Sequence, residues 1–275
     1  MILQKTKLTT LIGIFLFSFN SLAQSPWLNN NKPGFVAFEF SKVSLKGDSD
    51  LGFLTGTYDL SGGFSIGEKS ELIVDLPIAH FKATDDFFGS VSETTVGNLY
   101  LGLRTGDRSK RIRGEFGVYL PTTADDKLFA SSIGAFSVPN REEKFFINVW
   151  GLSARAIAEK NINDAGAYYR FRGGLVYLRD SDAELSALYL DYSGQIGVRT
   201  ENGIGILAGI SGRTGIGDDS KYAEDDSSSF LFALGLSYLT RNFEPGLTLN
   251  LPLDEPYKQL INNVINVSLL FHLGE

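Results

Sequence analysis

Asn262-Asn263-Val264-Ile265-Asn266-Val267-Ser268-Leu269-Leu270-Phe271-His272-Leu273-Gly274-Glu275 closes the chain, and its alternation decides the fold. Ile265, Val267, Leu269, Phe271 and Leu273 fall on one side of a strand of period two. Asn266, Ser268 and His272 fall on the other, with Leu270 as the apolar exception. A final strand that alternates in this way and stops next to the last residue has the form of the closing strand of an outer-membrane β-barrel. That strand is also where the barrel-assembly machinery is expected to engage.

The opening of the chain agrees. Lys5 and Lys7 precede the apolar run Leu11-Ile12-Gly13-Ile14-Phe15-Leu16-Phe17, which leads into Ser21-Leu22-Ala23. This is the pattern of a cleaved secretory signal over residues 1–23, leaving 24–275 as a single barrel domain. The apolar core is short of the roughly 20 residues a spanning helix needs. No later stretch is long enough either, so insertion into a membrane has to be by strands.

Composition narrows the classes. The 275 residues include no cysteine, which suits a barrel held by closure. The net charge of −7 argues against a nucleic-acid partner, because no excess of Lys and Arg is present to neutralise phosphates.

Alternating segments bounded by turn residues predict about twelve strands. They are Gly34–Leu45, Leu51–Gly67, Glu71–Lys82, Ser92–Thr105, Arg111–Pro121, Lys144–Ala158, Ala165–Arg179, Glu184–Thr200, Gly203–Arg213, Ser228–Thr240, Gly246–Pro252 and Val264–Leu273. Alternation also suits a soluble exported sandwich, in which the apolar sides meet across a dry core. Two features favour an all-β antiparallel transmembrane barrel. Many segments match the roughly 9–11 residues needed to cross a bilayer at a tilt. Short connections such as 67–70, 201–202 and 241–243 alternate with long ones such as 122–143 and 215–227, as periplasmic turns and extracellular loops do. Asp75-Leu76-Pro77-Ile78, Tyr119-Leu120-Pro121-Thr122 and Asn250-Leu251-Pro252-Leu253 repeat a Leu-Pro step, expected to end three strands at the outer rim.

The stretch through Asp75-Leu76-Pro77-Ile78, Val96-Gly97-Asn98-Leu99-Tyr100-Leu101-Gly102-Leu103-Arg104 and Gly114-Glu115-Phe116-Gly117-Val118-Tyr119-Leu120-Pro121-Thr122 resembles an outer-membrane transporter family. That family is associated with the meta-cleavage pathway of phenol degradation. The resemblance covers about Leu60 to Thr123. It implies a barrel and the passage of small, often aromatic, compounds, and it brings no catalytic motif.

With the apolar sides facing lipid, the lumen collects Glu39, Asp59, Asp75, Arg104, Arg113, Glu115, Arg170, Arg172, Asp191 and Gln195. Opposed arginines and carboxylates can orient a polar solute in a narrow pore. The same residues can instead be a salt-bridge network that fills the interior. Arg170 and Arg172 have the best-determined direction, since they alternate with Tyr169 and Phe171. The acidic pairs Asp85-Asp86, Asp125-Asp126, Asp218-Asp219 and Asp225-Asp226 lie in long connections. Asp218, Asp219, Asp225 and Asp226 are the candidates to hold Ca²⁺ or Mg²⁺ and bridge to lipopolysaccharide, although no ordered calcium-loop spacing is present. Tyr58, Phe81, Tyr177, Tyr189, Tyr238 and Phe271 are candidates for interfacial girdles.

Enzymatic readings find little support. His80 falls near Asp85 and Asp86, and His272 has no serine in a nucleophile arrangement. No cofactor is implied. The sequence therefore predicts a non-enzymatic barrel, a passive channel for small solutes that are aromatic or anionic. The rivals are a closed structural or adhesion barrel acting through its acidic loops, and a soluble exported β-protein.

Overall fold

The computed structural model describes residues 25–28, 34–47, 51–85, 89–106, 112–162, 166–182, 185–216 and 228–273. Residues 1–23, expected from the sequence to be a signal, and the acidic residues at 218–226 lie outside them. One antiparallel sheet of thirteen strands closes on itself. The strands are β1 (Phe35–Leu45), β2 (Gly56–Ser65), β3 (Ser70–Asp85), β4 (Gly89–Val96), β5 (Leu99–Thr105), β6 (Ile112–Leu120), β7 (Val149–Asn161), β8 (Ala167–Asp180), β9 (Ser186–Arg199), β10 (Ile204–Ile216), β11 (Ser228–Tyr238), β12 (Phe243–Pro252) and β13 (Ile261–His272). Closure runs through β1 and β13, in register from Phe35↔His272, and through β2 and β3.

The barrel has twelve staves, because β4 and β5 both pair with β3, one beyond the other. The strand expected over Ser92–Thr105 is broken at Gly97-Asn98. There the Asn98 N–H donates to the carbonyl of Lys144, inside the barrel, at 2.6 Å. A Cβ at Gly97 would overlap that carbonyl and the Phe145 ring, so only glycine allows the approach. Pro77 sits opposite the break, between the last β5 partner (Asp75↔Tyr100) and the first β4 partner (Ile78↔Val96). It has no N–H to offer where no strand is placed to receive one. The Leu-Pro steps at Leu120 and Pro252 do end strands, but β3 runs on past Pro77 to Asp85.

Inside and outside follow the sequence pattern. On β13, Ile265, Val267 and Phe271 are exposed, as is Leu273 just after it, whereas Asn266, Leu270 and His272 are buried. Leu60, Ile196, Ile206, Ile210, Leu234 and Leu247 extend the same exposed apolar surface around the wall. The interior holds most of the buried charge. A soluble sandwich would show the reverse, and the apolar belt is the surface a bilayer covers. Tyr189 is a correction to the expected girdle. It alternates with outward Leu188 and Leu190, is buried, and lies 5.1 Å beneath the Arg213 guanidinium inside the barrel.

The connection from Pro121 to Asn148 turns inward. It carries helix α1 (Leu128–Ser137) and a 3₁₀ turn (Glu142–Lys144), neither expected from the sequence. Strand β7 therefore begins at Val149 and not at Lys144. No side chain of its own caps α1. Glu93 of β4 accepts the free N–H groups of Phe129 and Ala130 at 3.1 and 3.3 Å. Ala130, Ile133, Gly134 and Ser137 form its buried face at helical spacing. A second short helix, α2 (Glu255–Leu260), leads directly into β13.

Candidate functional site: a charged lumen holding two inner segments

Register places a row of ionised side chains across the barrel wall. Glu71↔Arg104, Arg104↔Glu115, Glu115↔Arg155, Arg155↔Gly174, Gly174↔Asp191 and Asp191↔Arg213 are successive partners from β3 to β10. The signs alternate, so each charge meets its opposite. Arg104 bonds Glu71 and Glu115, each at 2.9 Å. Arg213 grips Asp191 with two bonds, of 2.7 and 2.9 Å. Arg155 crosses β8 to reach Asp191 at 2.8 Å. It crosses over Gly174, where a Cβ would collide with its side chain. Because strands tilt in a barrel, this row climbs from the end with the short turns toward the end with the long connections.

Near the long-connection end the row meets the inner turn Arg141-Glu142-Glu143-Lys144. Its charges are sorted between two walls. On β1–β3, Arg141 reaches Glu39 at 3.2 Å, and Lys144 reaches Asp59 at 3.2 Å and Asp75 at 2.7 Å. On the facing wall, Arg213 holds Glu142 at 2.9 Å and Glu143 at 2.7 Å, with Arg155 3.7 Å from Glu143. Burial pushes the Glu142 carboxyl up to about 7, with Arg213 opposing and Glu143 adding to the shift. Burial works the same way on Glu143, but Arg213 and Arg155 outweigh it and hold that carboxyl below its usual range. Tyr257 of α2 donates to Glu142 from above.

Asn98 fastens the inward connection to the wall break. Its Nδ2 donates toward the carbonyls of Glu143, Phe146 and Val149 at 2.7, 2.8 and 3.3 Å. Its Oδ1 accepts the N–H groups of Thr122 and Thr123 and the Thr123 hydroxyl. Both ends of the connection are thus tied to one buried amide.

At the short-turn end a second segment, Ser25-Pro26-Trp27-Leu28, lies inside the barrel. Arg170 donates to the Leu28 carbonyl at 2.8 Å and pairs with Glu159 at 2.9 Å. Arg172 donates to the Ser25 carbonyl at 3.2 Å. Leu28 packs with Phe35, Ile73, Tyr100, Tyr119 and Leu270. Two small cavities, of about 20 and 30 Å³, follow the seam between these inner segments and the wall. Trp27 lines both. Asn140, Asn250 and Asn266 border one; Tyr168, Arg199 and Glu244 border the other.

Every lumen residue expected from the sequence points inward and is buried: Glu39, Asp59, Asp75, Arg104, Arg113, Glu115, Arg170, Arg172, Asp191 and Gln195. Seven of them fall into two layers. Arg113, Arg170 and Arg172 belong to the layer of the N-terminal segment, and Glu39, Asp59, Asp75 and Asp191 to that of the inner turn. Sequence reasoning missed Arg155, Arg213 and Glu71, although strand alternation placed all three on polar sides. It also missed Asn98 and the Arg141–Lys144 turn. Those needed long-range contacts that no local pattern signals. The proposed metal ligands Asp218, Asp219, Asp225 and Asp226 lie outside the described residues. His80 bonds Thr94 on the exposed wall, and His272 is buried 3.9 Å from Glu244.

No family model matches the chain, and no curated protein is detectably similar. Solved structures are similar over nearly the whole length. An outer membrane channel from Pseudomonas putida F1 matches at 13% identity and TM-score 0.59, covering 89% of this chain and 98% of that one. LpxR from Salmonella typhimurium matches at 12% and 0.54, covering 87% and 100%. The NanC porin matches at 9% and 0.51, covering 86% and 100%. The fold is that of the outer-membrane β-barrels. At these identities the likeness extends to fold alone, and the resemblance over Leu60–Thr123 bears on fold in the same way.

Proposed function

We propose that this chain is an outer-membrane channel for small polar solutes, closed here by Ser25–Leu28 from one end and by residues 121–148 from the other. The observation that carries this reading is the means by which those segments are held. Ion pairs and hydrogen bonds to the wall anchor them, alongside apolar contacts at Leu28 and α1. Water can take the place of such contacts when a segment swings away, since charged groups regain their hydration. The row of opposed charges then lines the open path, as in polar pores generally. Arg170 and Arg172 serve first as the latch on the N-terminal segment. Once it is displaced, they favour solutes that carry an anionic group, including aromatic acids. Lipid and lipopolysaccharide around the belt, and the assembly machinery at β13, are the partners such a placement calls for.

The test is liposome swelling with the chain from residue 24 onward and with an open form that lacks Ser25–Leu28 and carries Arg141→Gln/Lys144→Gln, so that both closures are loosened. Slow entry into the first and fast, size-dependent entry into the second are expected. Arg170→Ala/Arg172→Ala in the open form should reduce entry of benzoate relative to neutral sugars. A correctly folded open form that admits nothing would instead favour a structural barrel acting through its acidic loops.

A further inference from the structure

The inner turn Arg141-Glu142-Glu143-Lys144 touches two walls of opposite character, and this names a solute class for the channel reading on which the inference rests. On β1–β3 the ionisable side chains in its layer are all acidic. Glu39 and Asp59 are direct register partners, and Asp75 lies one rung on, beside Ser61. All three are buried, and the cations that face them come from the turn. On β7–β10 the wall presents Arg155 and Arg213 around Asp191. The carboxylates that complete this side, Glu142 and Glu143, again belong to the turn. In a twelve-stave ring β1–β3 stand across the lumen from β8–β10. The turn therefore carries a cation toward one wall and an anion toward the other within a single 3₁₀ turn.

We infer that this pair of walls is a binding site for zwitterionic solutes, and that residues 141–144 occupy it in the closed state as an internal surrogate. A solute that displaces the turn has to satisfy the carboxylates of β1–β3 and the guanidinium groups of β7–β10 together. An anion alone leaves the acidic wall unpaired, and a cation alone leaves Arg155 and Arg213 under-compensated. Each is penalised, because a buried charge without its partner is costly. Glu143 and Lys144 reach opposite walls, so the ends of the solute have to be separated by several bonds. An ω-amino acid fits this demand better than an α-amino acid.

Single-channel recording on the form lacking Ser25–Leu28, and on the same form carrying Arg141→Gln/Lys144→Gln to loosen the turn, tests this. Folding of each is checked by the shift of the unboiled gel band. The probes are 6-aminohexanoate, hexanoate and hexylammonium, matched in length. 6-Aminohexanoate is expected to interrupt the current at about tenfold lower concentration than either singly charged probe. Asp59→Asn/Asp75→Asn should shift the preference toward hexanoate, and Arg213→Gln toward hexylammonium. Equal block by all three, or strongest block by hexanoate, overturns the zwitterion site and leaves the channel reading standing. No current in either folded form overturns the channel reading, and the site with it.

Discussion

Asn98 shows how much one side chain can hold. It is fully buried, and its amide joins the two ends of the inward connection to the break in the wall. Asn98→Ala removes these bonds and strands several buried partners, each costing about 1–3 kcal/mol. The expected result is a loosened inner connection and a loss of roughly 3 kcal/mol in stability. Limited proteolysis within residues 121–148, with the barrel itself still resistant, is the measurement. Gly174 gives a sharper residue-scale test because it has a built-in control. Alanine there would drive its Cβ into Arg155 and disturb the Arg155–Asp191 pair. Alanine at neighbouring Gly173 would meet only the Asp191 carbonyl, at an ordinary 3.7 Å. Gly174→Ala should lower the unfolding midpoint clearly, and Gly173→Ala should leave it nearly unchanged. Equal effects would show that the crossing of Arg155 over β8 does not matter.

At the scale of the element, the inner connection should dock in a pH-dependent way. Glu142 sits at about 7 when docked, against an ordinary value of 4.5. Between those values the docked form keeps a proton that the released form gives up. Docking therefore weakens as pH rises through that window, by at most about 1.4 kcal/mol per pH unit, and is level above it. Glu143 acts in the other direction, since its docked carboxyl is held low. Its contribution is present above 4.5 and fades as pH falls below it. Docking is thus expected to be firmest close to pH 4.5, and opening to become easier toward neutrality. Open probability recorded from pH 5 to 8 measures this, and Glu142→Gln should flatten the profile. A flat profile in the unaltered chain would count against the buried Glu142 carboxyl as its cause. The element itself was only partly legible. The sequence marked residues 122–143 as a long connection, but α1 is capped by Glu93 from another strand, a contact with no local signature.

At the scale of the whole molecule, the apolar belt is what assembly reads. Ile210 is exposed at mid-length on β10, and arginine there would stand in hydrocarbon. Ile210→Arg is expected to cost about 2–4 kcal/mol of refolding free energy in liposomes, as charged residues do at the midplane of such barrels. Ile210→Val should cost far less, and urea titration of refolding compares the two. The belt, the inward direction of Arg170, Arg172, Asp191 and their companions, and the count of twelve staves were determined by the sequence alone. A period of two fixes the face of every side chain once a strand is recognised, and closure fixes which face is wet. Tertiary structure alone decided that, among the described residues, two inner segments lie within the lumen and bond to its wall. It also decided that the wall is broken at Gly97-Asn98 and that Arg141 and Lys144 answer acids on β1–β3. These depend on segments distant in sequence meeting across a ring, and alternation along one strand carries no information about what lies on the far side.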